Sequence, residues 1–191
     1  MDSENAAEVE KPVLSVRIEQ DTNEENPFQA WDQAGKTAFY HRRYEIGDKK
    51  QEFKTPEDFK EFMESKEGKK AVMLPVYLYD HSGLSVSTGS FQDPWDSGQL
   101  GYIYMKEEDR KREKMTSKQA YACLESEIKA LDQYLRGEVY GIIIEDQGGQ
   151  QYESCWGFYG YDYAKQEAAA MLKACQEAVE KEYGTQLALI A

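Results

Sequence analysis

The stretch Val76–Tyr104 constrains the fold most: two apolar, strand-like runs enclose a long loop rich in turn-forming residues. Glycines at 83, 89, 98 and 101 permit reversals or close backbone approach, so the runs before, within and after the loop predict strands that return on one another. The loop holds Asp80, His81, Asp93, Trp95, Asp96, Ser97 and Gln99 and contains no Lys or Arg. A loop of turn residues around a tryptophan either ties a fold together or touches a partner.

The rest of the chain supplies a mixed set of elements. Leu14, Val16 and Ile18 alternate with polar neighbours and predict an inward-facing first strand, and residues 36–44 predict a second. Thr55, Pro56, Glu57 and Asp58 open a helix that Gly68 closes. Ala71–Tyr79 reads as a central strand despite Pro75, which is easier to place near an edge or bulge. After strands at 84–88 and 100–105, Thr116 or Ser117 caps a helix with Tyr121, Leu124, Ile128, Leu131 and Leu135 on one face. Strands at 138–145 and 151–158 flank the hairpin turn Asp146-Gln147-Gly148-Gly149, and a last helix covers 161–182, with Gly184 ending it and Leu187–Ile190 forming a short strand or tail. The expected class is α+β, a mostly antiparallel sheet covered by about three helices, as a flexible acidic tail over 1–11 and a single domain over 12–191.

Charge narrows the partners. The chain carries 36 acids against 23 bases, a net charge of −13, which disfavours direct contact with nucleic acid or anionic lipid and suits docking on a basic surface. No run of apolar residues reaches membrane-spanning length, and the first thirty residues are acidic rather than basic then apolar, so no membrane partner and a cytoplasmic location in a bacterial host are expected. Cys123, Cys155 and Cys175 are odd in number and widely spaced, predicting reduced, buried thiols rather than a disulfide framework.

Two clusters offer chemistry. In FYHRRYEIGD, His41 can act as a base near neutral pH and Arg42 or Arg43 can hold an anion; alternatively one arginine neutralises the protein's own acids. Asp80, His81, Asp93 and Asp96 carry the donor types for a divalent cation, and His41, Asp80 and His81 those for acid–base catalysis, but their spacing matches no established motif. The architectural alternative has Asp93 and Asp96 bonding loop amides, Trp95 packed at the sheet and Gln99 bridging strands. No serine nucleophile elbow or phosphate-binding glycine motif is present, and no cofactor is expected. Negative charge is concentrated by segment: Glu138, Glu145, Asp146, Glu153 and Asp162 occur without one base between 138 and 163, and aligned with Glu24, Glu25 and Asp32 they would present carboxylates as phosphates are presented by a duplex.

The segments HRRYEIGD, LPVYLYDHSGLSVST, PWDSGQLGYIY and LDQYLRGEVYGIIIED resemble those of an uncharacterised family of small proteins carried by bacterial phages, prophages and conjugative elements, across roughly residues 39–146. Members have Asn-Leu-Gly where this chain has Gln33-Ala34-Gly35, and Asn where it has Glu45. The resemblance implies a mobile-element product, and such acidic proteins often counter restriction or CRISPR defence by mimicking DNA or plugging a basic groove. The leading expectation is therefore a non-enzymatic modulator of a host nucleic-acid enzyme, with Glu138, Glu145, Asp146, Glu153, Asp162, Trp95 and Gln99 at the contact. The alternatives are a small metal-dependent or acid–base hydrolase and a self-associating accessory protein.

Overall fold

The computed structural model describes residues 11–190, the side chains of 186–190 excepted. The acidic tail expected over 1–11 lies outside the described residues apart from Lys11. The fold is α+β, with strands antiparallel in two sheets. Two compact units divide the chain: Met1–Asp21 with Val139–Ala191, and Thr22–Glu138.

In the first unit, β1 (Leu14–Gln20), β6 (Val139–Asp146) and β7 (Gln151–Tyr159) form a sheet in the order β1-β6-β7. Register sets Val16 opposite Ile144 and Ile18 opposite Ile142, so the period-2 alternation of β1 puts Leu14, Val16 and Ile18 on one face, although Val16, expected inward, is 38% exposed. There Leu14, Ile142 and Ile144 bury against Ala168 and Val179 of the long helix α5 (Tyr161–Ile190). The β6–β7 turn closes as its residues dictate, with the Asp146 carboxylate accepting from the Gly148 and Gln150 amides and Gly149 at φ 82°. At Gly141 the Trp156 ring occupies the space a side chain would need, 2.2 Å from an ideal Cβ. The helix does not stop at Gly184. It continues to Ile190 in place of the expected terminal strand, because one helical glycine costs only about 1 kcal/mol and no proline follows to halt it.

The second unit centres on a four-stranded sheet, β2 (Lys36–Phe39), β5 (Ser97–Met105), β3 (Val72–Asp80) and β4 (Leu84–Ser87), in the order β2-β5-β3-β4. Alternation along β5 sends Ile103 to one face and Tyr104 to the other. Ile103 meets Leu124, Ile128 and Leu131 of α4 (Ser117–Leu135), and Tyr104 meets Phe59 and Phe62 of α2 (Pro56–Glu64). Burying a side chain such as Ile103 completely stabilises the fold by roughly 2–3 kcal/mol. Both helices start at capping boxes, Thr55 with Asp58 and Thr116 with Gln119. On α4 the buried slot belongs to Ala120, and Tyr121, expected on the apolar face, is 44% exposed.

Pro75 lies opposite Tyr102 on β5, before the stretch Tyr77–Asp80 where β4 pairs on the other side of β3 and beside a bulge at Val76/Tyr77. Short helices α1 (Pro27–Ala30) and α3 (Glu107–Arg112) add to the expected three. Strand β2 ends at Phe39, not Tyr44, and on its open edge the Gln51 side chain stands where a neighbouring strand would: it accepts from the Phe39 amide and donates to the Phe39 carbonyl. Among the described residues no helix is long and apolar enough to cross a membrane.

Candidate functional site

The loop between β4 and β5 is held by its own side chains. Asp93 Oδ1 accepts from the amides of Trp95 at 2.9 Å and Asp96 at 3.2 Å, and the Ser97 hydroxyl donates to the Asp93 carbonyl. The Asp80 amide donates to the Asp96 carbonyl at 2.8 Å, tying the loop to the end of β3. Asp96 uses its carboxylate on His81, Oδ2 to Nδ1 at 2.7 Å, rather than on a loop amide as expected. Gln99 donates to the Gly101 carbonyl of its own strand and bridges no pair of strands. Trp95 is 92% exposed instead of packed at the sheet, on a turn held by the Asp93 carboxylate and carbonyl.

Beside this loop lies a shallow cavity of about 300 Å³, lined by His41, Arg43, Asp80, Trp95, Asp96 and Gln99 among others. Arg43 forms an ion pair with Asp80, and the Tyr44 hydroxyl donates to the same carboxylate at 3.3 Å. His41 stacks on Tyr44 with ring centroids 4.9 Å apart, and the Arg43 guanidinium lies 5.2 Å from the Tyr44 centroid. One arginine of the pair thus neutralises an acid of this chain.

The arrangement limits the chemistry available. Asp80 is engaged by Arg43 and Tyr44, and one oxygen of Asp93 is committed to loop amides. Among the described residues no three His, Cys, Asp or Glu side chains form a group that could hold a metal ion, so Asp80, His81, Asp93 and Asp96 do not assemble as a cation site. The His81–Asp96 pair has the geometry of an oriented base, but among the described residues no hydroxyl or thiol bonds to His81 that could act as its nucleophile. His41 lines the cavity and His81 does not.

The acidic residues singled out in the sequence divide between the units. Glu138 closes the Thr22–Glu138 unit and pairs with Arg136 at 2.7 Å. Glu145, Asp146 and Glu153 belong to the β6–β7 hairpin, and Asp162 to the first turn of α5. Glu145 bonds Arg17 at 3.3 Å, Asp146 is committed to the turn, and Glu153 accepts from the Ser154 amide. Neutralisation by Arg17 and Arg136 removes part of the bare negative charge that phosphate mimicry requires.

Among the thiols, Cys123 and Cys175 are half-buried, and burial beside Glu127 pushes the Cys123 thiol up to about 11, which makes it a poor nucleophile. Cys155, expected to be buried, is exposed on β7. His41 also lines a second, larger groove with Arg42, Lys49, Lys50 and Lys54. Those lysines were not singled out in the sequence; their signal is the run of bases that follows Gly47-Asp48. Comparison with known proteins adds no assignment: no protein-family model, no curated protein and no solved structure matches the chain.

Proposed function

We propose that the protein is a non-enzymatic binding protein that docks on a basic surface of a bacterial nucleic-acid enzyme and acts by steric occlusion, as the resemblance to mobile-element proteins implies. The observation that carries this reading is Trp95, 92% exposed on a loop whose polar groups bond one another. An exposed aromatic on a loop held by its own hydrogen bonds is the kind of anchor that dominates protein interfaces, because little backbone freedom is lost in ordering it. The net charge of −13 supports a basic partner through steering and register. Carboxylates mimicking a phosphate backbone contribute less in this reading, since Glu138 and Glu145 already hold arginines.

The test is recovery of partners from bacterial lysate on immobilised protein at about 50 mM and about 500 mM salt, where screening lengths differ severalfold. Wild-type protein is expected to retain a nucleic-acid enzyme at low salt and to lose most of it at high salt. Trp95→Ala, with an unchanged circular dichroism spectrum, is expected to weaken that binding about 30-fold or more. Equal recovery by Trp95→Ala, or recovery indifferent to salt, would overturn the reading.

A further inference from the structure

Residues 40–54, between β2 and α2, form no regular element, yet their backbone is fixed. Asp48 Oδ2 accepts from the Thr37 amide at 2.7 Å and hydroxyl at 2.9 Å, and the Asp48 amide donates back to that hydroxyl at 2.8 Å. The Asn26 side chain donates to the Ile46 carbonyl at 2.7 Å and that of Gln29 to the Glu45 carbonyl at 3.0 Å, while Gln51 brackets Phe39. This segment walls a groove of about 1090 Å³.

Four cations line the groove, Arg42, Lys49, Lys50 and Lys54, against two carboxylates, Glu45 and Asp48. Asp48 is turned to Thr37. The four are exposed, and among the described residues none has a carboxylate within 4.0 Å or a hydrogen bond. Elsewhere in the same unit Arg43 takes Asp80 and Lys36 and Lys106 share Glu52, while among the described residues lysines such as Lys60 and Lys118 are also without a carboxylate within 4.0 Å; what sets the four apart is that they line one groove. In a chain with thirteen more acids than bases, four unpaired cations along one concavity with a pinned backbone form a local reversal of charge. Half-buried Tyr40, Tyr44 and Phe53 give the same groove aromatic surface.

We propose that this groove binds a compact triphosphate anion, free or carried by a nucleoside. The volume, about 1090 Å³, lies just above the usual range of about 300–1,000 Å³ for small-ligand sites, so a triphosphate fits without filling the groove. A ligand with three phosphates keeps all its charge near the four cations, whereas a long polyanion would extend beyond them against the chain's overall negative field. Segment 40–54 brings the charges, and its pins fix the backbone that carries them before the ligand arrives, leaving only side-chain freedom to be lost on binding.

Calorimetric titration of the whole protein with sodium tripolyphosphate, ATP and a single-stranded oligonucleotide of roughly 12 nucleotides tests the proposal. Tripolyphosphate and ATP are expected to bind, at least tenfold more weakly in about 500 mM than in about 50 mM salt. Binding is expected to vanish in Lys49→Glu/Lys50→Glu and to fall in Arg42→Ala, the variant that decides the matter should the double reversal not fold. Equal affinity for the two triphosphates assigns the phosphate chain alone; tighter ATP assigns a base on the aromatic wall. The inference is independent of the docking proposal, so Trp95→Ala should bind triphosphate like wild type. No binding at about 1 mM ligand, well above the range of ordinary small-ligand affinities, overturns the proposal. Undiminished binding in the variants, or tighter binding of the oligonucleotide than of ATP, does so as well.

Discussion

The loop around Trp95 is held by carboxylates and exposes an indole, whereas segment 40–54 is held by amide side chains, a threonine and one inward aspartate and exposes four cations. Both connect to the same sheet. Around Trp95 the acids Asp93 and Asp96 are occupied by turn amides and by His81, so an apolar group is what the loop offers a partner. In segment 40–54, Asn26, Gln29 and Gln51 fix the backbone without drawing on its charges, so the cations stay available. The chemistry spent on fixing a loop decides the chemistry it has left to present.

The change expected to break both loops at once is Gly101→Val. Gly101 pairs with Phe39 and with Val76 at φ 152°, and a Cβ there would lie 1.9 Å from the Ala38 carbonyl oxygen. Urea unfolding is expected to report a loss of about 3 kcal/mol or more. Thr37→Val separates the loops: removing the buried hydroxyl from Asp48 should cost about 2–3 kcal/mol and raise amide exchange at Asp48 while leaving Trp95 and Asp96 unchanged. The converse is Asp93→Ala, expected to cost about 1 kcal/mol and to speed exchange at the Trp95 and Asp96 amides only.

A pH series sharpens the contrast. Burial pushes the Asp48 carboxyl above the ordinary value of 3.8 despite its Thr37 bonds. The folded state therefore holds that proton to higher pH than the unfolded chain does, and the contribution of Asp48 to stability falls as pH rises from 3.8 through its folded value. Asp48→Asn, which keeps an oxygen for Thr37, is expected to gain on wild type in urea unfolding between about pH 4 and pH 7. No gain would place the carboxylate in effective contact with solvent. The smallest expected effect is that of Trp95→Ala on stability, within about 0.5 kcal/mol, because the indole rests on almost nothing of its own chain.

Local signals were legible where the interaction is local. Thr55 with Asp58, Thr116 with Gln119, and Asp146 with Gly148 bond partners within a few residues, so their elements can be placed from the sequence. Pro75 likewise announced a bulge or edge, and the bulge adjoins it. Segment 40–54 was not legible as a fixed loop, since its pins come from Asn26, Gln29 and Thr37, which no spacing rule joins to residues 45–48. At Trp95 the residues of the site could be selected, but not the direction of the indole, because Asp96 turns to His81 fifteen positions earlier. The acidic residues were countable, yet their pairing with Arg17 and Arg136 depends on strand register and on the end of α4.

Cys155 stands exposed on β7, an outer strand of its sheet, rather than buried as expected. In air, two molecules can couple through this sulfur into a covalent dimer unrelated to any assembly in the cell. Light scattering on purified protein therefore separates genuine self-association from oxidation only in the presence of reductant or with Cys155→Ser.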